Sequence, residues 1–97
     1  MAPRTYRLSP LADSDMEDIW RYSITRWSEA RAESYTRELL SAFADLATGN
    51  RAGTPTTARK GYLRLLVGTH AVFYRVTPTR IEIIRVLHQA RHFPRHL

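Results

Sequence analysis

A chain of 97 residues is long enough for one ordinary domain, here residues 1–97, and too short for a second core. Its 43% hydrophobic and 25% charged content is that of a globular protein, and the absence of cysteine excludes disulfide staples and thiolate metal sites and fits a reducing compartment. A net charge of +6, from 15 Lys and Arg against 9 Asp and Glu, creates a positive field that attracts nucleic acid, anionic lipid or an acidic protein.

All of the Lys and Arg except Lys60 are arginine, whose planar fork suits close contact with carboxylates and phosphates. No run approaches the roughly 20 apolar residues of a membrane span. The opening "MAPRTYRLSPLADSD" carries no apolar signal core. The expectation is a soluble cytoplasmic protein with no membrane partner.

In chain order, "TYRLS" alternates Tyr6 and Leu8 against Thr5 and Arg7, a short strand with one buried face. Ser9 can cap the helix that follows, Pro10 suits its first turn, and Asp13, Asp15, Glu17 and Asp18 crowd acid towards the positive end of its dipole. Ala12, Met16, Ile19, Trp20, Ile24 and Trp27 recur at helical intervals and predict an apolar stripe from about Pro10 to Arg26. Ser28 restarts the pattern: from Glu29, Ala32, Tyr35, Leu39, Ala42, Phe43 and Leu46 form a second stripe that Gly49 and Asn50 stop. Two amphipathic helices with almost no loop between them form an antiparallel hairpin, and both stripes need one apolar surface.

The sheet supplies it. After the loop "NRAGTPTTARKG", "YLRLLV" and "HAVFYRV" flank Gly68-Thr69, a connection whose leading glycine fits a type II′ turn, and "TPT" leads into "RIEIIRVLH". The predicted fold class is α+β: an N-terminal strand, then a helix hairpin packed on an antiparallel sheet that a three-stranded meander completes. The first strand pairs at an edge that periodicity alone does not identify.

This order, with "YRLSPLADSDMEDIWRY", "RAESYTRELLSAFADLA", "GYLRLLVGTHAVFYRV" and "RIEIIRVLHQARHFPRHL", resembles the ParE branch of the RelE/ParE toxin superfamily along most of the chain. The resemblance implies a toxin of a bacterial toxin–antitoxin pair, held inactive by a ParD-like antitoxin. It implies DNA gyrase as target, poisoned by stabilising its cleaved-DNA complex, with DNA itself met only through gyrase or the antitoxin. The other branch implies the alternative, a ribosome-dependent mRNA endonuclease.

Four sets of residues are candidates for these roles. His88, His92 and His96 are spaced by four, as zinc ligands on a helix would be, but Pro94 breaks such a helix, so no metal and no cofactor is expected. Ribonuclease chemistry needs a base, an acid and cations around the phosphate, for which His88 with Arg64 and Arg85 on neighbouring strands are the candidates. RelE-like enzymes commonly carry a tyrosine near the C-terminus. Here no tyrosine follows Tyr74, so the leading reading has no catalytic residue. The tail "HQARHFPRHL" mixes charge with apolar anchors, which suits a target contact through Arg91, His92, Phe93, Arg95, His96 and Leu97. Trp20, Trp27, Tyr35 and Tyr62 read mainly as core between hairpin and sheet, with part of their surface left as a groove for an amphipathic antitoxin segment.

Overall fold

The computed structural model describes residues 5–90. Within them the elements run β1 (Thr5–Leu8), α1 (Pro10–Arg26), α2 (Glu29–Thr48), β2 (Thr54–Pro55), β3 (Leu63–Val67), β4 (His70–Val76) and β5 (Arg80–His88). The helix limits follow the caps. The Ser9 hydroxyl oxygen accepts the Ala12 N–H at 3.0 Å, while the hydroxyl itself donates to the Ile84 carbonyl at 2.7 Å, so one residue starts α1 and pins it to the sheet. Ser28 caps α2 through the Arg31 N–H at 3.1 Å, and Gly49 ends it in the left-handed region at φ 82°, where an L side chain is strained. Only Trp27 and Ser28 separate the helices, which fixes them as an antiparallel hairpin.

The strands form one five-stranded sheet in the order β1-β5-β4-β3-β2. β3, β4 and β5 are the expected antiparallel meander. Gly68 has φ 56° and no non-glycine among the described residues has positive φ, which is the type II′ pattern rather than type I′. Two details differ from the expectation of an antiparallel sheet. β1 lies beside β5 and runs parallel to it, since the two are joined through the helix hairpin and the other three strands rather than by a tight turn. The fifth strand, β2, comes from the segment read as loop.

The helices cover one face. Leu39, Ala42 and Phe43 of α2 are fully buried against Val67, Val72, Tyr74, Ile81, Ile83 and Val86, with the Tyr6 ring edge-on to Phe43 at 5.7 Å. The core-facing residues of β5 are Ile81, Ile83 and then Val86, a break in strict alternation. A bulge causes it: Phe73 pairs with Arg85 but Tyr74 with Ile83, so Ile84 is the extra residue and every side chain beyond it changes parity. Ala71, Phe73 and Leu87 form a second buried cluster. No helix among the described residues is long and apolar enough to cross a membrane.

Candidate functional site: a cleft between the helix hairpin and the sheet

The buried face of α1 consists of Ala12, Asp15, Ile19 and Ser23, not the expected stripe through Trp20, Ile24 and Trp27. Asp15 is in phase with the apolar stripe and points at the stretch of β5 that β1 no longer covers. There its carboxylate closes the strand edge. One oxygen accepts the Val86 N–H at 2.9 Å and the Arg85 Nε–H at 2.8 Å, and the other accepts from the second arm of the Arg85 fork at 2.8 Å. Both side chains are nearly buried, and this hydrogen bond raises the Arg85 pKa above its ordinary value against the opposing effect of desolvation.

Above Asp15 a cleft of about 840 Å³ opens between α1, the first half of α2, the β3–β4 turn and the end of β5. That volume lies within the range of ligand and partner sites. Its wall at the turn is a hydrogen-bonded hub. The Tyr35 hydroxyl lies 2.6 Å from His70 Nδ1, 3.1 Å from the Val67 carbonyl and 3.2 Å from the Thr69 N–H. A phenol has one proton and two lone pairs. With that proton on the Val67 carbonyl, Thr69 and His70 Nδ1–H both donate to the phenolic oxygen and the hub is complete. Gly68 is required beneath it, since a Cβ there would stand 2.6 Å from the Tyr35 ring.

His70 pairs directly with His88 across β4 and β5, their rings edge-on at 5.5 Å. His88 Nδ1 accepts the Ala90 N–H at 3.1 Å, which puts the proton of a neutral ring on Nε2. Gln89 closes the same corner by donating to the Gly68 carbonyl at 3.0 Å. At the opposite wall the aromatics are open to solvent: Trp27 is 66% exposed and Tyr22 62%, so Trp27 is not the core residue its spacing suggested. It lies one residue past α1, where the helical phase no longer holds it against the sheet.

The expected site residues are thus only partly brought together. Trp27 and Tyr35 share the cleft, whereas Trp20 lines a separate shallow depression with Met16 and Thr36. Tyr62 precedes β3, half-buried beneath the Arg59 guanidinium at 5.1 Å. His88 is in the cleft, but Arg85 is committed to Asp15 beneath it, and Arg64 lies across β4 from Arg85, with Phe73 between them. Another strand arginine, Arg75, is held by Glu82, and the hydrogen bond between them lowers the Glu82 pKa and raises that of Arg75. The tail residues Arg91, His92, Phe93, Arg95, His96 and Leu97 lie outside the described residues. No group of three or more His, Asp or Glu that could hold a metal occurs among the described residues. Asp15, Tyr22, Arg31, Glu38 and His70 were missed from sequence; only Asp15 left a trace, as an acid in register with an apolar stripe.

Comparison with known proteins agrees with this architecture. The chain is 45% identical over 95 residues to Toxin ParE1 of Caulobacter vibrioides, covering 97% of this chain and 98% of the relative. It is 42% identical over 94 residues to Toxin ParE1 of Mycobacterium tuberculosis, covering 95% and 96%. Among solved structures, the chromosomal ParDE toxin–antitoxin system from P. aeruginosa superposes with a TM-score of 0.78 at 17% identity, covering 88% of this chain and 95% of that one, and so supports the fold. The RelBE2 toxin–antitoxin complex from Mycobacterium tuberculosis gives 0.57 at 26% identity, covering 94% and 97%. Residues 6–93 match the family model described as the ParE toxin of the type II toxin–antitoxin system parDE, and the chain belongs to that family of toxins.

Proposed function

We propose that this ParE-type toxin acts by binding: it engages DNA gyrase, stabilises the cleaved-DNA complex, and is neutralised by a ParD-like antitoxin seated in the cleft. The observation that carries the reading is the use of the strand arginines. Of the strand arginines named with His88 for RNA cleavage, Arg85 is neutralised by a nearly buried carboxylate, so it serves the fold rather than standing ready for a phosphate. The exposed Trp27 and Tyr22 rings beside a cleft of about 840 Å³ support the antitoxin half of the proposal, because such an aromatic surface is costly to leave in water and suits an amphipathic partner segment. The target contact is assigned to the tail, through Arg91, His92, Phe93, Arg95, His96 and Leu97, on its mixture of charge and apolar anchors.

The test is purified protein added to gyrase in a supercoiling assay. Loss of supercoiling with protein-linked broken DNA is expected, and deletion of residues 93–97 should abolish it while antitoxin binding persists. One observation favours the other branch: His88 has His70 at its side, and His70 in turn meets the Tyr35 hydroxyl, a set able to move protons. Cleavage of messages at ribosomes with normal gyrase activity would replace the proposal with that reading.

A further inference from the structure

The cleft carries an order of charge that apolar docking alone does not need. α2 turns Arg31, Tyr35 and Glu38 into it, at intervals of four and three, so they form one line along the helix. At 1.5 Å per residue, Arg31 and Glu38 stand about 10 Å apart with the Tyr35 ring between them. In an antiparallel hairpin turning at Trp27 and Ser28, Glu38 comes within one residue of level with Asp18 of α1, and both carboxylates line the cleft. Arg31 is level with Ile24, close to the exposed Trp27.

Neither Arg31 nor Glu38 has an ion-pair partner among the described residues. Among the described residues Asp18 has only Arg21, at 3.8 Å with both side chains about 70% exposed, a contact too weak to occupy it. Asp15, the third carboxylate of the cleft, is satisfied by Arg85. From the helix turn inward the cleft therefore reads cation, aromatic ring, two carboxylates. The acidic end runs against the +6 charge of the whole chain, so a uniformly acidic partner would be repelled there.

We infer that this order sets the register of an amphipathic helix in the antitoxin, an inference that rests on the cleft being the antitoxin site. The partner helix presents an acidic side chain to Arg31, an apolar one to Tyr35 a turn further on, and a basic one to the Asp18 and Glu38 pair after a second turn. A helix suits this because its side chains repeat with the period of α2 itself. Its signature is an acid and a base two turns apart on one face, flanking an apolar residue.

Charge reversal tests it. Arg31→Glu and Glu38→Arg should each weaken binding of the cognate ParD-like antitoxin by about tenfold or more at ~0.1 M salt, and the loss should shrink at ~1 M, where the Debye length is about 3 Å. Arg37→Glu, on the same helix but outside the cleft, should bind as the parent does. Circular dichroism and melting temperature check that each variant folds. A selection for antitoxin variants that restore binding should return base-to-acid changes against Glu38→Arg and acid-to-base changes against Arg31→Glu, mapping two turns apart on one helical face. Unchanged affinity in both variants, or rescuing changes scattered over several faces, would overturn the inference while leaving the antitoxin reading intact. Binding that ignores Trp27→Ala would instead remove that reading, and this inference with it.

Discussion

Asp15 and Asp18 sit one turn apart on α1, both line the cleft, and their surroundings give them opposite roles. Asp15 is 9% exposed and holds three donors, from Arg85 and the Val86 backbone, at the strand edge where β1 stops. Asp18 is about 70% exposed and meets Arg21 at 3.8 Å, a geometry that water and salt dissolve. The floor of the cleft is electrostatically closed and belongs to the fold; the rim is open and available to a partner. Burial, not residue type, separates them: a carboxylate that leaves water must find its donors inside the protein, and one that stays in water need not.

The largest effect should come from opening the floor. Asp15→Ala leaves a nearly buried guanidinium and the Val86 N–H without an acceptor, and breaking such a pair from one side costs about 3–5 kcal/mol. Denaturant unfolding measures it. Asp18→Ala, by contrast, should stay within about 0.5 kcal/mol of the parent, as exposed substitutions do. The comparison sharpens in the double variant Asp15→Leu with Arg85→Met, which removes both charges and should recover much of the loss, because a buried pair is costly chiefly when half of it remains. Equal losses for Asp15→Ala and Asp18→Ala would break the distinction between floor and rim.

Why the rim and the floor could not be told apart in the sequence follows from what local signals carry. The caps at Ser9 and Ser28, the stop at Gly49 and the turn at Gly68 are encoded within a few residues of where they act, and the helices and the meander follow from them. "DSDMED" offers its acids as one solvated, dipole-favouring run. Which of them is buried depends on β5, some 70 residues later. The same non-locality hid the parallel pairing of β1 with β5 and the bulge at Ile84, which places Val86 rather than Arg85 in the core. The cleft itself was half legible: Trp27 and Tyr35 were named for it and meet there, but His70 looked like an ordinary strand residue until His88 and Tyr35 came alongside.

An intermediate effect belongs to the hub on the cleft wall. Tyr35→Phe keeps the ring and the cleft's shape but removes the oxygen that accepts the Thr69 N–H and contacts His70. Leaving such groups without partners costs about 1–3 kcal/mol, less here where Thr69 is exposed and water can replace the phenol. Amide exchange at Thr69 and His70 should quicken while exchange in α2 beyond Leu39 stays slow. Uniform acceleration across the chain would make the hub part of the global fold rather than a local clasp on the cleft.

The smallest effect should come from the exposed pair on β4 and β5. The hydrogen bond from Arg75, with Arg80 close by, holds the Glu82 carboxyl below its ordinary value. A carboxyl whose pKa is lower folded than unfolded binds more protons in the unfolded state, so stability rises with pH through that window. The contribution is fully present above the unfolded value and is lost as pH falls through the folded one. Melting temperatures of the parent and of Glu82→Gln should therefore differ slightly at pH 7 and converge as the pH falls through the folded value, since both then carry a neutral side chain. A gap between parent and variant that does not narrow as the pH falls through the carboxylate range would show that the pair does not titrate with folding, and that the open surface, unlike the Asp15 floor, contributes no charge to the fold.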